Sequence, residues 1–182
     1  MNIKIKKDLY RIYGDKKEPF IKKLFRSPEL KFTVALRKAN GSKNPFRHFK
    51  LRKLSQKTGI QIPARTKIGE GLYIGHFGRL IINPEAVIGK NVNIATGVTI
   101  GRENRGKREG SPTIGNEVWI GTNAVIVGNI KIGDDVIIAP LSFVNFDVPS
   151  HSIVIGNPAK IITKSKEDTE ESVTYKYIEN KV

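Results

Sequence analysis

Few side chains in this 182-residue sequence can do acid–base or metal chemistry. There is no cysteine, which excludes disulfides, thiolate metal ligands and cysteine nucleophiles. The imidazoles belong to His48, His76 and His151. An imidazole can act as a general base near neutral pH, and three converging imidazoles can hold a catalytic zinc ion. Because His48 lies in a predicted helix and His151 lies beyond the repeats described next, the sequence predicts no metal site.

Isoleucines recur every six residues through the middle of the chain. Thirteen positions fall in phase, twelve of them isoleucine and one valine. They are Ile62, Ile68, Ile74, Ile82, Ile88, Ile94, Ile100, Ile114, Ile120, Ile126, Ile132, Ile138 and Val144. A period of six fits neither an α-helix nor an alternating strand and is typical of a hexapeptide β-helix. We predict a mainly β solenoid of triangular coils, with the isoleucines stacked inside it.

The repeat is interrupted twice, and each interruption predicts a loop. Two extra residues enter just after His76, and eight more enter between Ile100 and Ile114. The second insertion contains residues 102–112, which are too hydrophilic to pack inside the coils. We interpret it as an extruded active-site or substrate loop, with a solvated surface loop as the alternative. The spacing does not give the hand of the coil, although crossovers between parallel strands are normally right-handed.

The positive charge of the chain is concentrated near its N-terminal end. The net charge is +15, and residues 1–58 carry 18 Lys/Arg against 4 Asp/Glu, which is +14. Capping residues and apolar spacing predict short helices over 8–13, 20–25, 28–40 and 45–58. Basic helices of this kind are usually solvated on their cationic face. Contact with an anionic membrane surface is the alternative, and the segment carries no nucleic-acid motif.

The sequence divides into three parts. These are the basic helical segment 1–58, the β-helix domain 59–163 with its loop 102–112, and a charged tail 164–182, which is expected to be mobile. No apolar run approaches the length of a membrane-spanning helix, and the first residues lack the apolar block of a secretory signal. The expected location is the cytoplasm, with peripheral contact at the inner face of the membrane as an option.

Three stretches of the chain resemble serine acetyltransferase and its relatives that O-acetylate sugars of bacterial capsules and lipopolysaccharide. They are residues 59–63 with 74–78 (GIQIP and IGHFG), 111–115 (SPTIG) and 155–160 (IGNPAK). These proteins are left-handed β-helix, hexapeptide-repeat acyltransferases. The resemblance implies the left hand, acetyl-CoA as the acyl donor, no metal, and a homotrimer with active sites between neighbouring subunits.

His76 matches the catalytic histidine of that family. The resemblance implies that neutral His76 removes the proton from an acceptor hydroxyl, which attacks the thioester carbonyl of acetyl-CoA. The protonated imidazole then helps the thiolate leave, and a backbone N–H of a coil turn stabilises the oxyanion. The rival outside this class is a non-catalytic β-helix scaffold, in which His76 is an ordinary surface residue.

The residues expected around the acceptor depart from the serine acetyltransferase pattern. That family carries aspartates at the positions of Gln61 and Gly75, and an Arg-His pair at 110–111. A charged α-amino group needs a carboxylate partner, and two candidates are missing. The departures favour a sugar hydroxyl of a surface polysaccharide or its precursor, with L-serine as the alternative. The acceptor is expected to meet Gln61, Arg108, Glu109 and Ser111, and either Gln61 or Glu109 is expected to orient His76.

The same resemblance assigns acetyl-CoA to the later coils and the C-terminal extension. The implied contacts of the pantetheine arm are Gly121 and Thr122, followed one coil on by Pro140, Ser142, Asn145 and Phe146. Lys160 and Lys164 are placed to meet the CoA phosphates, because the ligand brings several negative charges. Trp119 is predicted to pack on the wall of the coil.

Overall fold

The computed structural model describes residues 2–14, 19, 22, 24, 27–163, 169, 173 and 176. In the residues that the structure describes, the strands are preceded by three helices, α1 (Ile3–Tyr13), α2 (Pro28–Ala39) and α3 (Pro45–Thr58). The helix expected over 20–25 falls largely outside the described residues, as do Lys164 and most of the expected tail. In the ranges described, no helix combines the length and apolarity that a bilayer crossing requires.

Fifteen short strands follow the helices within the described ranges. They are β1 (Ile60–Gln61), β2 (Lys67–Ile68), β3 (Tyr73–Ile74), β4 (Leu80–Ile82), β5 (Val87–Ile88), β6 (Asn93–Ile94), β7 (Thr99–Gly101), β8 (Thr113–Ile114), β9 (Trp119–Ile120), β10 (Val125–Val127), β11 (Lys131–Ile132), β12 (Ile137–Ile138), β13 (Phe143–Val144), β14 (Ser152–Gly156) and β15 (Ala159–Thr163). Sheet A holds β1, β4, β7, β10 and β13, and sheet B holds β2, β5, β8 and β11. Sheet C holds β3, β6, β9, β12, β14 and β15. Strands β1 to β13 visit the three sheets in turn, so the chain winds into a triangular prism.

The isoleucine ladder is the core of this prism. Parallel pairing places Ile82, Ile100, Ile126 and Val144 in line on sheet A, and the other two sheets repeat the arrangement. All thirteen ladder positions are at most 7% exposed. The β-helix predicted from the six-residue period is therefore confirmed, with coils about 4.8 Å apart. Only β15 departs from the parallel pattern, because it folds back antiparallel on β14.

Helices α1 and α2 are anchored to the first coil by a buried ion pair. The Arg37 Nε and Nη2 atoms donate to the Asp8 carboxylate at 2.7 and 3.0 Å. Arg37 also donates to the carbonyls of Ile68 (3.0 Å) and Gly69 (2.6 Å), and Asp8 accepts from the Leu72 N–H at 2.9 Å. Burial raises the pKa of Asp8, and the Arg37 guanidinium opposes that rise. The two helices are thereby fixed at the turn between β2 and β3.

Helix α3 leads directly into the first strand. The Asn44 side chain caps its start by accepting from the Phe46 N–H at 2.9 Å. It ends at Gly59, whose φ of +78° and contact with the next coil exclude a side chain there. Within the helix only Leu51 and Thr58 are buried. Most of α3 therefore faces solvent.

The described residues of the last segment lie against the prism. Thr169 and Val173 are buried, and the Thr169 hydroxyl donates to the Asp135 carboxylate. The Lys176 ammonium lies 2.8 Å from a Glu117 carboxylate oxygen. The two polar contacts tie Thr169 and Lys176 to the turns between sheets B and C.

Candidate active site

His76 lies on a bulge at the edge where the chain passes from sheet C to sheet A, which we call the C–A edge. The Gly97 N–H donates to the Arg79 carbonyl at 2.6 Å, so Arg79 is level with the tight corner of the next coil. The two extra residues of the first coil therefore lie between Ile74 and Arg79. His76 and Phe77 are exposed as a result, with Phe77 at 60%. Within the described part of the chain, the imidazole of His76 has no hydrogen-bond partner.

The inserted loop 102–112 is internally ordered. Glu103 and Gly110 exchange two backbone hydrogen bonds of 3.0 Å, which close the loop into a small hairpin. Arg102 contacts Glu85 and also lies 3.2 Å from Glu109, and Glu85 is the main cause that raises the pKa of Arg102. Arg108 donates to Glu103 at 3.2 Å. Arg102, Glu103, Arg108 and Glu109 are therefore engaged with one another or with the preceding coil.

Three of the four expected acceptor residues lie on a different edge of the prism from His76, and the fourth, Gln61, lies on strand β1 of sheet A. Arg108, Glu109 and Ser111 sit between β7 and β8, at the edge joining sheet A to sheet B, called the A–B edge here. The Ser111 hydroxyl donates to the Asn83 side-chain oxygen at 3.1 Å, which holds the end of the loop on that edge. His76 lies across sheet A, on the C–A edge. One chain alone does not bring the loop to the imidazole.

The C–A edge continues from His76 as a column of turns. The Ala95, Gly121 and Ala139 N–H groups each donate to the coil above, at 3.0, 2.8 and 2.8 Å. A Cβ on Gly121 would lie 2.6 Å from the Pro140 nitrogen, so only glycine fits there. Thr122 follows it and is exposed, and Pro140 is exposed one coil on. Small and exposed residues thus line a continuous path along this edge.

Lys160 lies at the far end of the same edge. It pairs with Ile155. Ile155 follows Val154, the partner of Ile138, so it lies next to the turn at Ala139 and Pro140 of the preceding coil. Both Lys160 and Ile155 are exposed. Five strand spacings of about 4.8 Å separate the His76 bulge from this lysine, which gives about 24 Å. His76 at one end and Lys160 at the other are therefore candidates for the two ends of an elongated ligand site.

The remaining residues expected to meet acetyl-CoA lie apart from this path. Ser142 is 1% exposed, and its hydroxyl donates to the Val154 carbonyl at 3.4 Å and accepts from the Gly156 N–H at 3.2 Å. Asn145 and Phe146 follow β13 at the A–B edge and are half-buried. Trp119 is half-buried on the outer face of sheet C, in register with Asn93 and Ile137.

A groove of about 550 Å³ lies between α3 and the first two strands of sheet A. Gln61 lines it, together with a polar stripe on α3 that repeats every four residues: His48, Arg52 and Gln56. No carboxylate is among the residues that line it, and His76 is also absent from them. The sequence indicated Gln61 but not this stripe. Its four-residue spacing is the signal that would have placed the three side chains on one helical face.

The other two histidines have partners of their own. His48 Nε2 lies 2.6 Å from the Ser42 carbonyl oxygen, and His151 Nδ1 lies 2.9 Å from an Asp135 carboxylate oxygen. In the described ranges, no group of three His, Cys, Asp or Glu side chains is arranged to hold a metal ion.

Comparison with known proteins places this architecture in a family. The family described as "Bacterial transferase hexapeptide (six repeats)" matches residues 111–145. Serine acetyltransferase 2 of Arabidopsis thaliana is 41% identical over 115 residues, which is 63% of this chain and 36% of that protein. The chain therefore spans about a third of that curated relative.

Two solved structures extend the similarity beyond the repeats. The serine acetyltransferase of Neisseria gonorrhoeae in complex with serine has a TM-score of 0.73 and 30% identity, and covers 88% of this chain and 68% of that one. The Brucella abortus serine acetyltransferase in complex with coenzyme A has a TM-score of 0.76 and 26% identity, over 88% and 67% of the two chains.

The prism is thus a left-handed parallel β-helix of hexapeptide repeats with a helical N-terminal segment. The chain belongs to the hexapeptide-repeat acyltransferases and is serine acetyltransferase-like. The left hand implied by the resemblance is confirmed, and the general right-handed preference for parallel crossovers is wrong for this fold.

Proposed function

We propose that this protein transfers an acetyl group from acetyl-CoA to a hydroxyl group, with His76 as the general base. The observation that carries the proposal is the C–A edge, with His76 at one end, Lys160 at the other and the Gly121–Thr122 turn between them. The tight turns leave room for a thin pantetheine arm, and Lys160 offers a cation to the phosphates. The coenzyme A complex of a relative supports the same ligand.

In the proposed mechanism, the neutral imidazole of His76 accepts the proton of the acceptor hydroxyl as its oxygen forms a bond to the thioester carbonyl carbon. The carbon–sulfur bond then breaks, and the imidazolium returns the proton to the departing thiolate. An exposed position on a bulge suits this role, because the imidazole must reach both substrates. The proposed donors to the oxyanion are backbone N–H groups of the bulge that do not bond to the neighbouring coil, because those of Ala95, Gly121 and Ala139 already do.

Two acceptors remain candidates, and different observations favour them. The relatives described above are serine acetyltransferases, and one was solved with serine, which favours L-serine over the sugar expected from the sequence. The residues around the groove favour a sugar hydroxyl. Gln61 and Gly75 supply no carboxylate for an α-amino group, and Glu109 is engaged by Arg102. The proposal that the acceptor is a surface polysaccharide or its precursor rests only on this lack of a free carboxylate.

We further propose that the working unit is a homotrimer with each site between two subunits. This proposal is supported by the positions of the two expected halves, His76 on the C–A edge and the loop 102–112 on the A–B edge of the same chain. A neighbouring prism would bring its loop to the imidazole.

The test is a thiol-release assay with acetyl-CoA against L-serine and a panel of sugars and oligosaccharides. We expect turnover with one acceptor class, and a loss of about 10²- to 10⁴-fold in kcat for His76→Ala. The His151→Ala variant is the matched control, because it removes an imidazole from another corner.

Turnover with L-serine at ordinary enzymatic rates eliminates the sugar preference while keeping acetyl transfer. If no acceptor releases CoA and acetyl-CoA does not raise the melting temperature, the protein is a scaffold and the enzymatic proposal is wrong.

A further inference from the structure

The outward face of α3 combines exposed aromatic rings with lysines. Phe46 is 79% exposed and Phe49 is 60% exposed. The Lys53 ammonium lies 5.6 Å from the centroid of the Phe49 ring. In a helix of 3.6 residues per turn, Phe46, Phe49, Lys50 and Lys53 share one face, opposite the inward Leu51. Exposing two phenyl rings to water is unfavourable in free energy. This face is therefore suited to contact with a binding partner.

A small cavity adjoins this face between α2 and α3. Its volume is about 220 Å³, and its floor is apolar, formed in part by Val34, Ala35 and Leu54. Four cationic residues surround the floor, namely Lys31, Lys38, Arg47 and Lys50. Lys50 belongs both to the cavity and to the phenylalanine face, so the two features form one surface. We call this surface the basic–aromatic face.

The stretch of sequence that builds the basic–aromatic face carries charge of one sign. Between Glu29 and Glu70 the sequence contains no Asp or Glu, while it contains 11 Lys/Arg. A second copy of the chain docked on the same face would oppose cation to cation, which disfavours self-association. The complementary partner is anionic, and the exposed rings require that it also offer an apolar layer.

We propose that the basic–aromatic face docks on the surface of an anionic phospholipid bilayer. Phe46 and Phe49 enter the boundary between headgroups and acyl chains, while Lys50, Lys53 and Lys57 meet the phosphates. Lysines beside aromatic residues on one helical face are typical of helices that lie in a membrane interface. Each cation near an anionic surface strengthens binding about fivefold. The proposal does not depend on acetyl transfer, because vesicle binding is measured without acetyl-CoA or an acceptor.

The full-length protein is tested by sedimentation with vesicles of phosphatidylcholine alone and with 30% phosphatidylglycerol. We expect binding to the anionic vesicles and at least tenfold weaker binding to the neutral ones. Raising the salt from about 0.1 M to about 0.5 M is expected to weaken the anionic binding, because screening shortens the reach of the lysines.

Two sets of substitutions separate the rings from the charges. The double variant Phe46→Ala, Phe49→Ala is expected to lower vesicle binding about tenfold or more through lost apolar burial. The triple variant Lys50→Gln, Lys53→Gln, Lys57→Gln is expected to lower it about 100-fold. Matched controls are Leu141→Ala, an exposed apolar residue on the prism, and the triple variant Lys67→Gln, Lys107→Gln, Lys131→Gln. Both controls are expected to bind as the wild type.

Three results would overturn the proposal. The first is equal binding to neutral and anionic vesicles by the wild type, which needs no variant. The second is an equal loss of vesicle binding in the Lys50 triple variant and in the Lys67 triple control, which would show that binding depends only on net charge. The third combines two measurements, the second of which uses dextran sulfate as a soluble polyanion. The phenylalanine double variant binds vesicles as the wild type does, and the Lys50 triple variant loses vesicle binding and dextran sulfate binding to the same extent. That pattern describes a site for soluble polyanions.

Discussion

One leucine on the C–A edge adopts a backbone conformation that its side chain disfavours. Leu141 has a φ of +62°, at the corner where the coils below place Gly97 (φ +81°) and Asn123 (φ +59°). Glycine and asparagine tolerate this left-handed region, whereas a leucine pays about 1 kcal/mol or more to occupy it. Its side chain is 67% exposed, so burial within the chain offers little compensation. Leu141 lies beside Pro140, in the path assigned to acetyl-CoA.

The Leu141→Asn variant is therefore expected to be more stable than the wild type by about 1 kcal/mol, measured by urea unfolding. Leu141→Ala is the control, because it removes the same exposed side chain but lacks the polar group with which asparagine hydrogen-bonds locally in the left-handed region. Equal stability of the two variants would show that the leucine is not strained. A rise in KM for acetyl-CoA in both variants would show that the side chain contributes an apolar contact to the donor.

The ion pair between α1 and α2 governs how firmly the helical segment is attached to the prism. Asp8 and Arg37 are nearly inaccessible, with 1% and 5% of their side chains exposed. Removing one partner leaves the other charged and buried, which costs about 3–5 kcal/mol in comparable pairs. We expect Asp8→Ala to lower the free energy of unfolding by this amount, measured by urea denaturation.

The double variant Asp8→Leu, Arg37→Met distinguishes the pair from simple packing. Apolar replacements of similar volume avoid the desolvation of two charges, so the double variant is expected to lie within about 1 kcal/mol of the wild type. A double variant as unstable as Asp8→Ala would contradict this account. It would assign the loss to the hydrogen bonds that both residues make with the main chain at residues 68–72.

Among the secondary-structure elements, the sequence predicted the repeating strands but not the single ion pair that docks α1 on the prism. The six-residue period placed every ladder isoleucine, and the Ser27–Pro28 cap predicted the start of α2. The docking of α1 on the prism rests on Asp8 and Arg37, which are 29 residues apart in a segment crowded with cations. Nothing in the local pattern selects this pair, because its partners are carbonyls and N–H groups contributed by the fold.

The edge of the prism on which each inserted segment lies can be predicted from the sequence. Each hexad advances the chain by one sheet, so counting strands in threes assigns every insertion to an edge. The His76 bulge follows the third strand and the loop 102–112 follows the seventh, which places them on different edges. The hand of the coil was not accessible in this way. The right-handed preference depends on crossover helices packing back on a sheet, and these turns of about four residues contain no helix.

At the scale of the whole molecule, the proposed homotrimer predicts complementation between subunits, because its two proposed half-sites lie on different edges of each chain. If each site takes His76 from one chain and the loop 102–112 from its neighbour, a trimer of His76→Ala subunits has only intact loops. A trimer whose loop is replaced by a short glycine turn has only intact histidines. Co-expression of the two inactive variants is expected to restore CoA release to about a quarter of the wild-type rate, because random mixing pairs intact halves at about one site in four. Each variant expressed alone, mixed without subunit exchange, is the control. Restored activity requires the shared site, whereas no recovery in mixed trimers of confirmed composition would place both halves within one chain.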